Sequence, residues 1–138
     1  MIIVDANDMI IGRMSGFLAK KALLGEEIAV VNVEKAVITG SKKNILADYK
    51  QARERGAPLV GPYIIRTPEA IVKRIIRGML PYKRPRGREA FARIKCYRGI
   101  PKEFEGKKIL KLEQFDVNNT NSKYITINHI SKFLGAEV

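Results

Sequence analysis

The chain has 138 residues, 46% of them hydrophobic, with 26 Lys plus Arg against 14 Asp plus Glu and a net charge of +12. That length suits one domain, expected to span residues 1–138, with a buried core, and the composition excludes a wholly disordered basic tail. A single cysteine, Cys96, excludes an intramolecular disulfide framework and a multi-cysteine zinc site.

The N-terminus, MIIVDANDM, has no basic n-region, and no apolar run nears the roughly 20 residues of a membrane span. A soluble, cytoplasmic protein with no membrane partner is therefore expected. Ile2-Ile3-Val4 predicts a buried strand, and Asp5, Asn7 and Asp8 predict the turn after it. From Gly12 to Leu24, Met14, Phe17, Leu18, Ala22 and Leu23 recur at helical spacing, with Gly25 as the stop. Ile28 to Val33 predicts a second buried strand, and Ala36-Val37-Ile38 a shorter one. Ser41 then caps a helix through Ile45, Leu46, Tyr49 and Ala52 that ends at Gly56. Strands apolar on both faces, alternating with helices, point to a parallel sheet covered by helices.

Residues 56–68 hold Gly56, Pro58, Gly61, Pro62 and Pro68 and predict a loop with a short extended piece at Tyr63-Ile64-Ile65. Thr67-Pro68 is a helix start. The helix that follows, to about Leu80, divides Ile71, Val72, Ile75, Ile76, Met79 and Leu80 from Lys73, Arg74 and Arg77. Pro81 ends it. Tyr82 to Arg86 predicts a basic loop that orders only on a polyanion, and Gly87 opens a short helix with Ala90, Phe91 and Ile94 on its apolar edge. Cys96, in Ile94-Lys95-Cys96-Tyr97, reads as a small buried side chain. A loosely patterned stretch runs to Ser122, anchored by Ile109, Leu110, Leu112 and Phe115. Tyr124 to Ile127 is strand-like, and Asn128 to Leu134 makes one or two helical turns.

The charge is concentrated. Between residues 66 and 98 stand Arg66, Lys73, Arg74, Arg77, Lys83, Arg84, Arg86, Arg88, Arg93, Lys95 and Arg98, opposed only by Glu69 and Glu89. That segment carries +9 of the chain's +12. Such a footprint suits a polyanion, since neutralised phosphates release condensed counterions, whereas a basic surface kept for solubility mixes both signs.

Enzymatic signals are weak. Ile11-Gly12-Arg13-Met14-Ser15-Gly16 lacks the dinucleotide fingerprint, and Thr39-Gly40-Ser41-Lys42-Lys43 lacks P-loop spacing. The latter does bring Lys42 and Lys43 to a helix N-terminus, which suits either a nucleic-acid phosphate or an ordinary capped helix. His129, the only histidine, has no neighbours in metal-ligand spacing. Tyr82, between Pro81 and Lys83-Arg84, suits either stacking on a base or ribose or packing back on its helix.

The run Arg77-Gly78-Met79-Leu80-Pro81-Tyr82-Lys83-Arg84-Pro85-Arg86-Gly87-Arg88, continuing through Ala90, Arg93-Ile94-Lys95, Tyr97 and Gly99, resembles the signature of a universal ribosomal protein family, the thirteenth of the large subunit. Val4-Asp5-Ala6 with Ile11-Gly12-Arg13 is similar to the family's opening. Val31 to Gly40 is similar to its second strand and turn. The resemblance covers about residues 2–100, and the Gly-Pro-Tyr to Arg-Thr-Pro connection follows the archaeal and eukaryotic branch. Beyond about Phe104 it is less distinctive.

The resemblance implies a three-layer α/β/α fold around a small, mainly parallel sheet of about four strands. It also implies a structural constituent of the large ribosomal subunit that binds its RNA and acts early in assembly beside neighbouring ribosomal proteins. No enzymatic activity, cofactor or small-molecule substrate is expected. The expected RNA-binding residues are Arg13, Lys42, Lys43, Arg66, Lys73, Arg74, Arg77, Tyr82, Lys83, Arg84, Arg86, Arg88, Arg93, Lys95 and Arg98. The competing class is a small α/β enzyme with a basic surface for an anionic substrate.

Overall fold

The structure, a computed structural model, describes residues 1–61 and 63–136; Pro62 of the expected loop and residues 137–138 lie outside the described residues. Strand β1, Ile2–Asp5, passes through helix α1, Ile11–Leu23, to strand β2, Ile28–Val31. The two strands pair in parallel from Ile2 opposite Ile28 to Asp5 opposite Val31. Helix α1 buries Ile11, Met14, Ser15, Leu18, Ala19 and Ala22, the one-faced spacing of a helix laid on a sheet. It ends where Gly25, at φ 98°, takes a left-handed conformation and donates its N–H to the Ala22 carbonyl at 3.0 Å.

Strand β2 is shorter than the expected Ile28–Val33. Asn32 sits in the left-handed region at φ 56°, its side-chain amide donating to Asp5 Oδ1 at 3.0 Å and its N–H to the Gly99 carbonyl at 3.0 Å. A single helical turn, Val33–Lys35, then reverses the chain into β3, Val37–Thr39. Beyond it come α2 (Lys42–Glu54), α3 (Pro68–Gly78), α4 (Pro85–Ala92), β4 (Ile94–Cys96), β5 (Leu110–Lys111), β6 (Tyr124–Thr126) and α5 (Ile127–Phe133).

The main sheet is parallel and four-stranded, in the order β4-β2-β1-β5. The expected architecture holds, but its membership differs from the sequence pattern. β3 leaves the main sheet and pairs antiparallel with β6, Val37 opposite Thr126. Its place is taken by β4, whose Ile94 was expected to close the preceding helix, and by the two-residue β5.

One face of the sheet presents Val4, Ile28, Val30 and Ile94 to α1, α3 and α4, meeting Met14, Leu18, Ile71, Val72, Ile76 and Ala90. The other presents Ile3, Ala29 and Val31 to Phe104, on the short turn Lys102–Phe104, with Tyr97 and Ile109 alongside. The second covering layer is thin. Helix α2 joins the core of the first layer instead, burying no residue fully, with Ile45, Leu46 and Tyr49 half-buried against it. Ser41 makes no side-chain capping bond there.

Candidate nucleic-acid interface

Helix α3 begins on Pro68 at its first turn, a position that needs no N–H donor, and Thr67 adds no side-chain bond. Ile71, Val72 and Ile76 are buried and fix its rotation about its axis. Met79 departs from the expected core face because the helix ends at Gly78 and leaves that side chain 44% exposed. On the opposite side Arg74 is exposed while Lys73 and Arg77 are half-buried.

The reason lies in α4. The Lys73 ammonium stands 4.8 Å from the centre of the Phe91 ring, and the Arg77 guanidinium 5.1 Å from that of Tyr82. The two rings meet edge to face, 5.4 Å between centres at 82°. This alternation of cation and ring clamps α3 to the turn and to α4, each contact contributing about 0.5–2 kcal/mol. Tyr82 therefore packs back on its neighbours while 40% of its surface stays exposed.

The segment 82–86 corrects the expected free loop. Tyr82 N–H donates to Leu80 O at 2.8 Å and Arg84 N–H to Pro81 O at 3.0 Å. Pro85 opens α4 with a φ that suits a first turn, and both Gly87 and Arg88 donate their N–H groups to Arg84 O. Arg88 then reaches back, Nε to the Tyr82 carbonyl at 3.2 Å and Nη2 to the Lys83 carbonyl at 3.1 Å. Gly87 is buried against Pro81, so close that a Cβ there would lie 2.0 Å from the Pro81 oxygen. The protein folds its own basic turn.

Arg77, Tyr82, Lys83 and Arg84 line one open hollow together with Gly78, Leu80 and Pro81. Arg86 is exposed on the first turn of α4. Other residues of the expected set also make contacts within the fold. Arg93 Nη1 donates to the Ala22 carbonyl at 2.9 Å, a second donor beside the Gly25 N–H at the carbonyl end of α1, where a cation is favoured. Arg98 forms an ion pair with Glu69 at 3.1 Å, tying the segment beyond β4 to the first turn of α3. Arg66 accepts a hydrogen bond from Ser131 on α5 through its carbonyl and keeps an exposed side chain.

Lys95 stands opposite Ala29 in β4, on the sheet face away from α3 and α4. Arg13 on α1 and Lys42 and Lys43 in the first turn of α2 are exposed on separate elements. Phe91, read from sequence as an apolar edge, is the residue whose role was missed. Its spacing of nine from Tyr82 and its place on a different helix from Lys73 hid the ladder.

Burial pushes the Cys96 thiol up from an ordinary 9.0 to about 12; Lys73 nearby lowers it and Glu69 raises it further, both by less. This thiol stays protonated and serves as packing. At the carboxyl ends of β1 and β2, where open α/β sheets bind ligands, Asp5 Oδ1 accepts from both Asn7 N–H and Asn32 Nδ2 at 3.0 Å. That crevice is stitched by the chain's own polar groups.

Fold and face together define an α/β domain that presents a braced basic surface. A family model described as Ribosomal protein L13 matches residues 1–103. The chain is 45% identical over 139 residues to the large ribosomal subunit protein uL13 of Methanosarcina barkeri, covering 99% of both. It is 44% identical over 135 residues to that of Archaeoglobus fulgidus, covering 96% of this chain and 86% of the relative. With that of Methanocaldococcus jannaschii it shares 43% over 141 residues, covering 99% of both. The chain belongs to the ribosomal protein L13 family, a family of structural, non-enzymatic proteins. These matches extend the likeness past residue 104, where the sequence motifs had faded.

Proposed function

We propose that this chain is a structural constituent of the large ribosomal subunit in the cytoplasm. In this reading it holds large-subunit RNA through the basic segment 66–98, with Arg13, Lys42 and Lys43 as outlying contacts, contributes to early assembly, and sits beside neighbouring ribosomal proteins. The observation that carries it is the convergence of Arg77, Tyr82, Lys83 and Arg84 on one hollow of a turn that is already folded. Cations held on a rigid frame lose less side-chain and backbone entropy on meeting phosphate. Arginine adds paired, parallel hydrogen bonds to each phosphate.

The test is filter binding of the full chain to deproteinised large-subunit RNA across a salt series. Engagement of about six to eight phosphates gives a slope of log K on log salt of roughly −5 to −7, and a slope shallower than about −2 overturns the reading. Sedimentation of a tagged chain from cell extract separates the alternatives. One copy per large subunit supports the structural role, and recovery only in the soluble fraction supports an enzyme acting on an anionic small molecule.

A further inference from the structure

Arg88 lies in the basic run and is exposed, yet its guanidinium folds back along the chain. Nε donates to the carbonyl of Tyr82 and Nη2 to the carbonyl of Lys83. A single side chain thus spans successive carbonyls of the turn, a geometry that only a planar fork with several fixed donors provides. The same turn is held from its other side by Gly87 against Pro81 and by the Arg77 contact to the Tyr82 ring. Lys83, Arg84 and Arg86 are exposed, as is Arg88 itself, and what sets Arg88 apart is its pair of bonds to the turn's carbonyls.

We propose that Arg88 is a positioning residue of the RNA-binding surface: it locks the Tyr82-Lys83 backbone so that Lys83, Arg84 and Arg86 meet the RNA backbone already arranged, and it does not itself neutralise a phosphate. This rests on the reading of segment 66–98 as the RNA surface. Held carbonyls fix the ψ of Tyr82 and of Lys83, and with them the direction in which Lys83 and Arg84 leave the chain. Removing the tie leaves every outward cation in place and makes the turn lose conformational freedom on binding instead of before it.

The experiment compares full-length wild type with Arg88→Ala, Arg88→Lys and Arg84→Ala, using deproteinised large-subunit RNA as probe. Arg88→Ala lowers affinity about tenfold at every salt concentration while the slope of log K on log salt stays within about 0.3 of wild type. Arg88→Lys keeps the charge but lacks the fork, and gives nearly the same loss. Arg84→Ala makes the slope shallower by about 0.9, the signature of one lost phosphate.

Amide exchange without RNA supplies a readout that charge alone does not move. The bonded amides of Tyr82, Arg84, Gly87 and Arg88 exchange slowly in wild type and faster in both Arg88 variants, with the thermal midpoint within a few degrees. A slope shallower by about one in Arg88→Ala, with full recovery in Arg88→Lys, makes Arg88 an ordinary phosphate contact and overturns the proposal. Unchanged exchange in both variants overturns it equally. A shallow wild-type slope, unaltered by any variant, defeats the RNA-surface reading instead, and the exchange data then still decide whether Arg88 holds the turn.

Discussion

Replacing Gly87 by alanine tests how tightly α4 is pressed on the preceding turn. A helix-interior glycine is ordinarily improved by alanine, by about 0.5–1 kcal/mol, because less backbone freedom is lost on folding. At Gly87 the new Cβ would stand 2.0 Å from the Pro81 oxygen, 2.3 Å from its carbonyl carbon and 2.9 Å from Tyr82 N. All of these are backbone atoms, so no side chain can swing aside. The helix must back away, loosening the Gly87 and Arg88 bonds to Arg84 O and the fork of Arg88.

Overpacking of this kind costs up to about 3 kcal/mol, and subtracting the alanine gain leaves a net loss of about 2 kcal/mol. For a domain of this size that lowers Tm by about 8 °C. Gly16→Ala is the matched control: it lies within α1, and an added Cβ meets nothing within 4 Å. It should raise Tm by about 2–4 °C. Thermal melts followed by circular dichroism decide the matter. A Gly87→Ala protein as stable as wild type, or more so, would refute the close approach of α4 to Pro81.

Arg93→Ala should cost about 1 kcal/mol in urea unfolding, by removing the charged donor from an Ala22 carbonyl that the Gly25 N–H also meets, and should leave the salt slope of RNA binding unchanged. Ile76→Ala empties a fully buried site beneath α3 and should lose about 2–5 kcal/mol, whereas Arg74→Ala on the exposed side should stay within about 0.5 kcal/mol of wild type. Cys96 gives a pH signature. The unfolded thiol sheds its proton near 9 while the folded one holds it to about 12. Its contribution is therefore complete below about pH 9 and declines as pH rises toward 12. The stability difference between wild type and Cys96→Ala, measured by urea titration, should shift against wild type across that window. Native Cys96 should also react with thiol reagents at pH 8 far more slowly than the denatured chain.

The sequence made visible what depends on local pattern. β1, α1 and β2 followed from apolar runs and Gly25, and α3 from Thr67-Pro68 with a two-sided charge division. β4 escaped because Ile94 follows α4 with only Arg93 between them, so no glycine or proline punctuates the change of period. Pro85, read as part of the loop, opens α4 instead, and the reason it was missed is physical. Proline suits a loop and a helix start alike, and Arg84 before it lacks the short oxygen-bearing side chain that marks a cap. β3 was legible as an apolar run, but its partner 87 residues later was not, since Asn32 turns the chain out of the sheet by a dihedral that composition does not encode. Within the basic segment, counting charges singled out a candidate surface. It could not tell Lys83 and Arg84, which face outward, from Arg93 and Arg98, whose donors meet Ala22 and Glu69.

The pairing of β3 with β6 has a consequence for synthesis. Ile125, Ile127, Ile130 and Leu134 join the same core as Val4 and Ile76, yet they leave the peptide exit after the whole basic segment has been made. Domains otherwise tend to fold from the N-terminus as the chain lengthens, at roughly 5–20 residues per second. Here the basic segment is exposed to solvent for seconds before the core that supports it can close. During that interval its cations repel one another on an unfinished scaffold, and any polyanion within reach would relieve them. Order of translation thus sets non-specific capture of nucleic acid against completion of the fold, with residues 125–134 ending the contest.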